Sequence, residues 1–167
     1  MREILFRGKA ANRIDEREYR TSYKNGDWVY GLLTDSENYA GFSEMTNTDG
    51  VSGIEVDKNT VGQFTGLTDK NGKKIFEGDI VKQTFEGTNT LTGDYWEDVN
   101  EDFYGFKIGR VTFSGTGTHI ICERGELHID GEPVEDWKPS RRSRLAACRC
   151  EIIGNIHDNP ELLEVQK

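Results

Sequence analysis

The three cysteines and three histidines are the residues of this chain best suited to metal or nucleophilic chemistry. Cys148 and Cys150 are one residue apart, so on a strand they would share a face. A structural zinc centre usually takes four ligands, commonly from two closely spaced pairs. The second pair would have to combine Cys122 with His119, His128 or His157, and these positions lack zinc-ligand spacing. Buried cysteine is common in β cores, so reduced thiols and no bound metal are expected. "HID", His128 to Asp130, places an imidazole and a carboxylate on one strand face. A hydrolase would also need a nucleophile or metal and a site for developing negative charge. The sequence contains no G-x-S-x-G elbow and no H-E-x-x-H helix. "LHIDGEPV" reads as a strand entering an Asp-Gly turn, with His128 an exposed strand residue. No catalytic residue and no cofactor is assigned, and an enzyme is not expected.

Phosphate binding is the next chemistry to test, in "QFTGLTDKNGKKIFEGDIV", Gln63 to Val81. A phosphate loop needs its glycines between a buried strand and a helix that starts with Lys-Ser or Lys-Thr. Here Lys73-Lys74 leads into "IFEGDIV", whose alternation and β-branched residues read as strand. Asn71-Gly72 supplies the positive φ angles of a tight turn. The stretch reads as a hinge between strands, with Ile75, Ile80 and Val81 in the core and Asn71-Gly72 exposed.

Two charged regions could recognise a partner. Residues 83–106 carry Glu86, Asp94, Glu97, Asp98, Glu101 and Asp102, interleaved with Tyr95, Trp96, Phe103 and Tyr104. The plain reading is a solvated excursion with aromatics folded back on the body. The sharper one is a binding loop, with aromatics giving contact area and carboxylates steering a basic partner. The opposite charge gathers in "KPSRRSRLAACRC": Lys138, Arg141, Arg142, Arg144 and Arg149, with residues 139–144 expected to be exposed. That cluster could bind a phosphate backbone. It could equally pair with the acidic excursion of the same or a neighbouring subunit. The formal net charge of −9 favours pairing, because the whole molecule repels nucleic acid and anionic membranes.

These side chains must be positioned by a chain of 167 residues with 19 glycines and only 3 prolines, which favours turns over long helices. Alternating apolar runs predict strands over residues 4–7, 28–33, 39–42, 54–56, 61–64, 80–84, 106–113, 119–122, 126–129 and 150–156. Helix is expected only weakly over residues 16–23 and in the tail 160–165, where Asn159 would cap and Pro160 would open it. In "EIIGNIHDNPELL", Ile152, Ile153 and Ile156 should pack in the core, and Gly154 should mark a bulge or close approach. No apolar run approaches the roughly 18 residues of a membrane span, and the N-terminus does not read as a signal peptide. A cytoplasmic setting is expected.

The hinge stretch, "MREILFRGK" with "DWVYGLL", and "EIIGNIHDNPELL" together resemble, in order, the motifs of the YopX family of phage and prophage proteins. The resemblance covers nearly the whole chain. It implies a mostly β fold whose later half is similar to an SH3-type barrel, and it brings no catalytic residues. Two stretches, "AANRIDEREYRTSYKNG" and the excursion after "EGDIV", are longer than the compact family pattern. The resulting expectation is antiparallel sheets in two subdomains, 1–66 and 67–167, the second with the acidic excursion and a short C-terminal helix. Function is expected to be non-enzymatic: protein interaction, self-association or assembly. Tyr95, Trp96, Phe103, Tyr104, Arg141, Arg142 and Arg144 are the candidate contact residues. Nucleic acid binding through residues 138–149 is the alternative.

Overall fold

The computed structural model has twelve strands and three short 3-10 turns among the described residues. Those residues are 3–11, 23–35, 42–48, 50, 53–92, 98–114 and 117–164. The chain divides into two compact units, Met1–Gly66 and Leu67–Lys167.

In the first unit, β1 (Phe6–Lys9), β2 (Trp28–Asp35), β3 (Phe42–Asn47) and β4 (Ile54–Asp57) precede β5 (Gly62–Thr68). They lie in the order β4-β3-β2-β1-β5, and each assigned pair is antiparallel. Val29, Met45, Ile54, Val56 and Ala10 form the core of this unit. Their strand parity leaves Tyr30 and Leu32 exposed on the opposite face. The strand expected at 39–42 in fact runs from Phe42 to Asn47, and residues 39–41 lie outside the described set. The weak helix at 16–23 likewise falls largely outside it.

The second unit begins at the hinge. β6 (Lys74–Phe76) and β7 (Asp79–Thr92) are separated by a turn at Glu77 and Gly78, so "IFEGDIV" is two strands rather than one. Asp79 explains the break: its buried carboxylate accepts the Phe76 N–H at 2.7 Å and closes the turn. Ile75, Ile80 and Val81 are fully buried and Asn71-Gly72 is exposed, as expected, with Gly72 at φ +81°. β8 (Asp98–Ser114) and β9 (Gly117–Ile129) extend the sheet. β10 (Glu132–Pro133) and β11 (Arg142–Arg144) both pair with β9, and β12 (Cys150–Asn155) returns to pair with β7. The path is β10-β9-β8-β7-β12, with a 3-10 turn, Ala147–Arg149, just before the last strand. Its core holds Ile75, Val81, Val111, Ile120, Cys122, Leu145 and Cys150.

The C-terminal helix is not formed. Pro160–Leu163 is a four-residue 3-10 turn, and Asn159 makes no side-chain cap. The reason lies at Gly154, where the β7–β12 register shifts in a bulge. A Cβ there would stand 2.6 Å from Asn159 Oδ1, so the side chain meant to cap lies over the bulge instead. Ile152, Ile153 and Ile156 are half-buried, and Ile152 packs against the core of this unit. Among the described residues no helix is long and apolar enough to cross a membrane.

Candidate interaction surface

The acidic excursion is a β-hairpin, not a loop. β7 and β8 pair without a register shift from Ile80↔Arg110 to Thr92↔Asp98. The pairing is written in two short repeats, "FEG" (85–87) and "FYG" (103–105). Antiparallel register sets Phe85 opposite Gly105 and Gly87 opposite Phe103, so each ring covers the facing glycine. A Cβ on Gly87 would stand 2.5 Å from the Phe103 ring, and one on Gly105 would stand 2.7 Å from the Phe85 ring. Gly125 on β9 makes the same space for Trp137, whose ring centroid is 5.7 Å from that of Phe85.

Strand parity gives the hairpin two unlike faces. The face continuous with the core carries Val81, Gln83 and Phe85 on β7 and Phe103 on β8. A bulge between Ile108 and Gly109 in the β8–β9 pairing shifts parity on β9, so Leu127 and Ile129 follow Cys122 on this same side. The other face carries Glu86, Tyr104 and His128 in one row and Thr88, Asp102 and Asp130 in the next. Tyr104 is 48% exposed and stacks on His128, with centroids 4.9 Å apart and planes within 4°. Thr88 Oγ1 donates to Asp102 Oδ1 at 2.7 Å.

This arrangement uses the "HID" groups structurally. Asp130 Oδ1 accepts the Asp102 N–H at 2.9 Å, and Asp130 enters its turn at φ +49°. His128 Nε2 is 3.9 Å from Glu126, and its buried Nδ1 has no hydrogen-bond partner. His128 is thus half-buried under Tyr104, not the exposed strand residue expected. Cys148 and Cys150 do not share a strand face either: Cys148 is exposed in a 3-10 turn, while Cys150 is buried at the start of β12. Burial first, then the neighbouring Asp69, pushes the Cys150 thiol up to about 11. Burial also raises Cys122.

The basic segment is strapped to the base of β7. Gln83, only 6% exposed, accepts the Ala146 N–H at 2.7 Å and donates to the Arg144 carbonyl at 3.5 Å. Thr84 Oγ1 donates to the Arg149 carbonyl at 3.2 Å. Arg142 and Arg144 belong to β11, and the Arg141 carbonyl accepts the Cys122 N–H, so the backbone is held while the three guanidinium groups stay exposed. Residues 139–144 are therefore partly strand rather than loop. Among the described residues, Lys138, Arg141, Arg142, Arg144 and Arg149 make no ion pair with a carboxylate. Asp94 and Glu97 of the acidic excursion lie outside the described residues, so the expected pairing is tested only at its described carboxylates, and none of those is paired with these cations.

Of the candidate contact residues, Tyr104, Arg141, Arg142 and Arg144 are exposed, and Phe103 is half-buried over Gly87. Tyr95 and Trp96 lie outside the described residues. Trp137, an aromatic of the nucleic acid reading, instead packs beside Phe85. Sequence reading missed Gln83 and Phe85, although the paired Phe-x-Gly repeats were a signal for the hairpin. It also missed Asp69, which is 4% exposed and accepts N–H groups from Asn71, Lys73 and Ile152 at 2.8, 2.9 and 3.1 Å. Burial alone would raise its pKa, but these three donors and the Lys73 charge outweigh it and hold the carboxyl below its usual value.

Residues 18–164 match the family described as YopX protein. The chain is also 27% identical over 162 residues to the alpha-factor-transporting ATPase of Saccharomyces cerevisiae, a match covering 83% of this chain and 11% of that protein.

Proposed function

Because this chain belongs to the YopX protein family, we propose that it is a phage or prophage accessory protein. In this reading it is a non-enzymatic protein-interaction or assembly module of the host cytoplasm. The observation that carries it is the hairpin: long, two-faced, bearing an exposed Tyr104 and standing beside a basic strip whose charges are unmatched within the described chain. Convex aromatic and charged features of this kind suit recognition of another protein surface. The groups that could have served catalysis have structural employment. Asp130 secures a turn and the Cys150 thiol is raised away from the reactive thiolate. The three free cysteines suit a reducing compartment. We read the second unit as an SH3-type barrel opened out by its hairpin. Its meander, 3-10 turn and final strand returning to the first support that reading. The ATPase activity of the yeast relative is not carried over, because Gly72 and Gly78 serve turns between strands and Gly66 lies within β5, none of them in a strand-to-helix phosphate loop.

The exposed, unpaired arginines favour a second reading, a nucleic acid-associated protein using residues 138–149. Affinity capture from infected host cells, followed by mass spectrometry, separates the two. A specific protein retained after nuclease treatment is expected. Recovery of nucleic acid alone, released by salt, would replace the first reading with the second.

A further inference from the structure

We propose that the outer edge of β7 over residues 84–92 is a self-pairing edge, on which a second copy of this chain adds its own β7 antiparallel across a two-fold axis. The inference rests on the assembly reading above and specifies its surface and its partner. β12 covers β7 only from Asp79 to Gln83, while β8 pairs with β7 all the way to Thr92. Among the described residues, 84–92 therefore present one fully paired side and one side without a strand. Such an edge is a template for another strand unless Lys, Pro or a bulge blocks it. Here the segment reads "TFEGTNTLT", with a single charge at Glu86, no Pro and no Lys, and its ladder has no register shift. Thr84, Glu86, Thr88 and Asn89 are exposed.

Symmetry and charge select a second copy as the occupant. The register that pairs the whole segment with itself has its axis at Thr88, setting Thr84 of one copy opposite Thr92 of the other. Glu86 then faces Thr90, so like charges do not meet. Antiparallel addition carries the acidic end of one hairpin, where β8 begins at Asp98 and continues to Glu101 and Asp102, toward the base of the other copy's β7. That base is where Gln83 and Thr84 hold the segment carrying Arg144 and Arg149. The arginines that meet no carboxylate among the described residues of one chain are thus brought toward the carboxylates of the next. Closure across a two-fold also removes the exposed edge and stops at the dimer.

The test uses the full chain in a Cys148→Ser background, which removes the exposed native thiol. At low salt, sedimentation should give twice the chain mass, with the dimer weakening as salt rises. A Thr88→Cys variant, placed on the axis, should form an intermolecular disulfide under diamide, since directly opposed residues lie at about 4.5–5.5 Å between Cα atoms. Thr84→Cys should not, because the two copies of that residue would lie about 27 Å apart. A monomer at all accessible concentrations, or a dimer in which Thr84→Cys crosslinks as well as Thr88→Cys, would overturn the edge proposal. A monomer whose captured host or phage protein is lost on Thr88→Lys would assign the edge to a different chain and leave the interaction reading intact. A monomer that captures no protein would sink both.

Discussion

Asp69 should contribute substantially to stability at the hinge, and Asp69→Asn measures that contribution. Its carboxylate accepts three backbone N–H groups, two from its own turn and one, Ile152, from β12 at the other end of the unit's sequence. The Lys70 N–H adds a second tie to β12 by donating to the Cys150 carbonyl at 2.9 Å. Asparagine keeps one acceptor oxygen. If that oxygen serves Asn71 and Lys73, the new NH2 group points at the Ile152 N–H, and two donors confront each other. Losing one hydrogen bond to a charged group costs about 1.5–3 kcal/mol, and the remaining two weaken when the charge goes. A total of about 3 kcal/mol corresponds to a fall in Tm of roughly 6–12 °C for a chain of this length. The pH dependence has a definite sign. The folded pKa lies below the ordinary aspartate value of 3.8, so the stability from this group is complete above that value. It is lost as pH falls through the lower folded value, and the parent and variant melting curves should converge under acid conditions. Thermal unfolding followed by circular dichroism from pH 7 to pH 3 provides the measurement. A variant melting within about 1 °C of the parent at pH 7, or a gap that widens on acidification, would refute the reasoning.

Gly87→Ala should destabilise by about 1–3 kcal/mol, because its Cβ would stand 2.5 Å from the Phe103 ring, and Phe103→Leu in the same chain should recover part of the loss. Denaturant unfolding of the single and double variants checks this; additive losses would count against the ring-over-glycine pairing. In the native parent, Cys148 should react rapidly with Ellman's reagent while Cys122 and Cys150, buried and with raised pKa values, react only on unfolding. Three thiols reacting at one rate would contradict that placement. Double-stranded DNA should show no measurable binding at physiological salt, and Arg141→Ala combined with Arg142→Ala should leave the Tm unchanged while weakening self-association or partner capture. Micromolar DNA binding by the parent, lost in the double variant, would promote the nucleic acid reading.

What was legible in the sequence was whatever local chemistry determines. Asn71-Gly72 can only be a tight turn in this setting, and Ile80-Val81 in a β-branched run can only be core. Asp130-Gly131 closes β9 for the same reason. The long hairpin was hidden because its strands lack apolar alternation: "TFEGTNTLT" is mostly polar, and half of its apolar content is a ring placed over a glycine on another strand. The register that makes sense of "FEG" and "FYG" is a cross-strand property, invisible to any window along one strand. The same holds for β3, whose run from Phe42 to Asn47 is fixed by pairing with β2 and β4. The basic strip is exposed where the sequence placed it, and among the described residues its cations meet no carboxylate. Charge composition says that carboxylates are present, whereas register decides which cations they can reach.

The graded burial along β7 links the fold to its proposed use. Val81 is fully buried and Gln83 is 6% exposed, yet Phe85, two residues further on the same face, is only half-buried. The sheet therefore continues past the point where its core can cover it. Phe103, Leu127 and Ile129 share that partial cover, and Trp137 closes only the region beside Phe85. A two-stranded extension in water is marginally stable alone. This one is reinforced by β9 on one side and, beyond Gln83, by no strand on the other. A further strand at that edge would supply backbone hydrogen bonds where the extension has fewest and would widen the half-covered apolar face into a surface with a second copy across it. The paired Phe-x-Gly repeats already fill part of that face, since each ring occupies the space that a Cβ on the facing glycine would need.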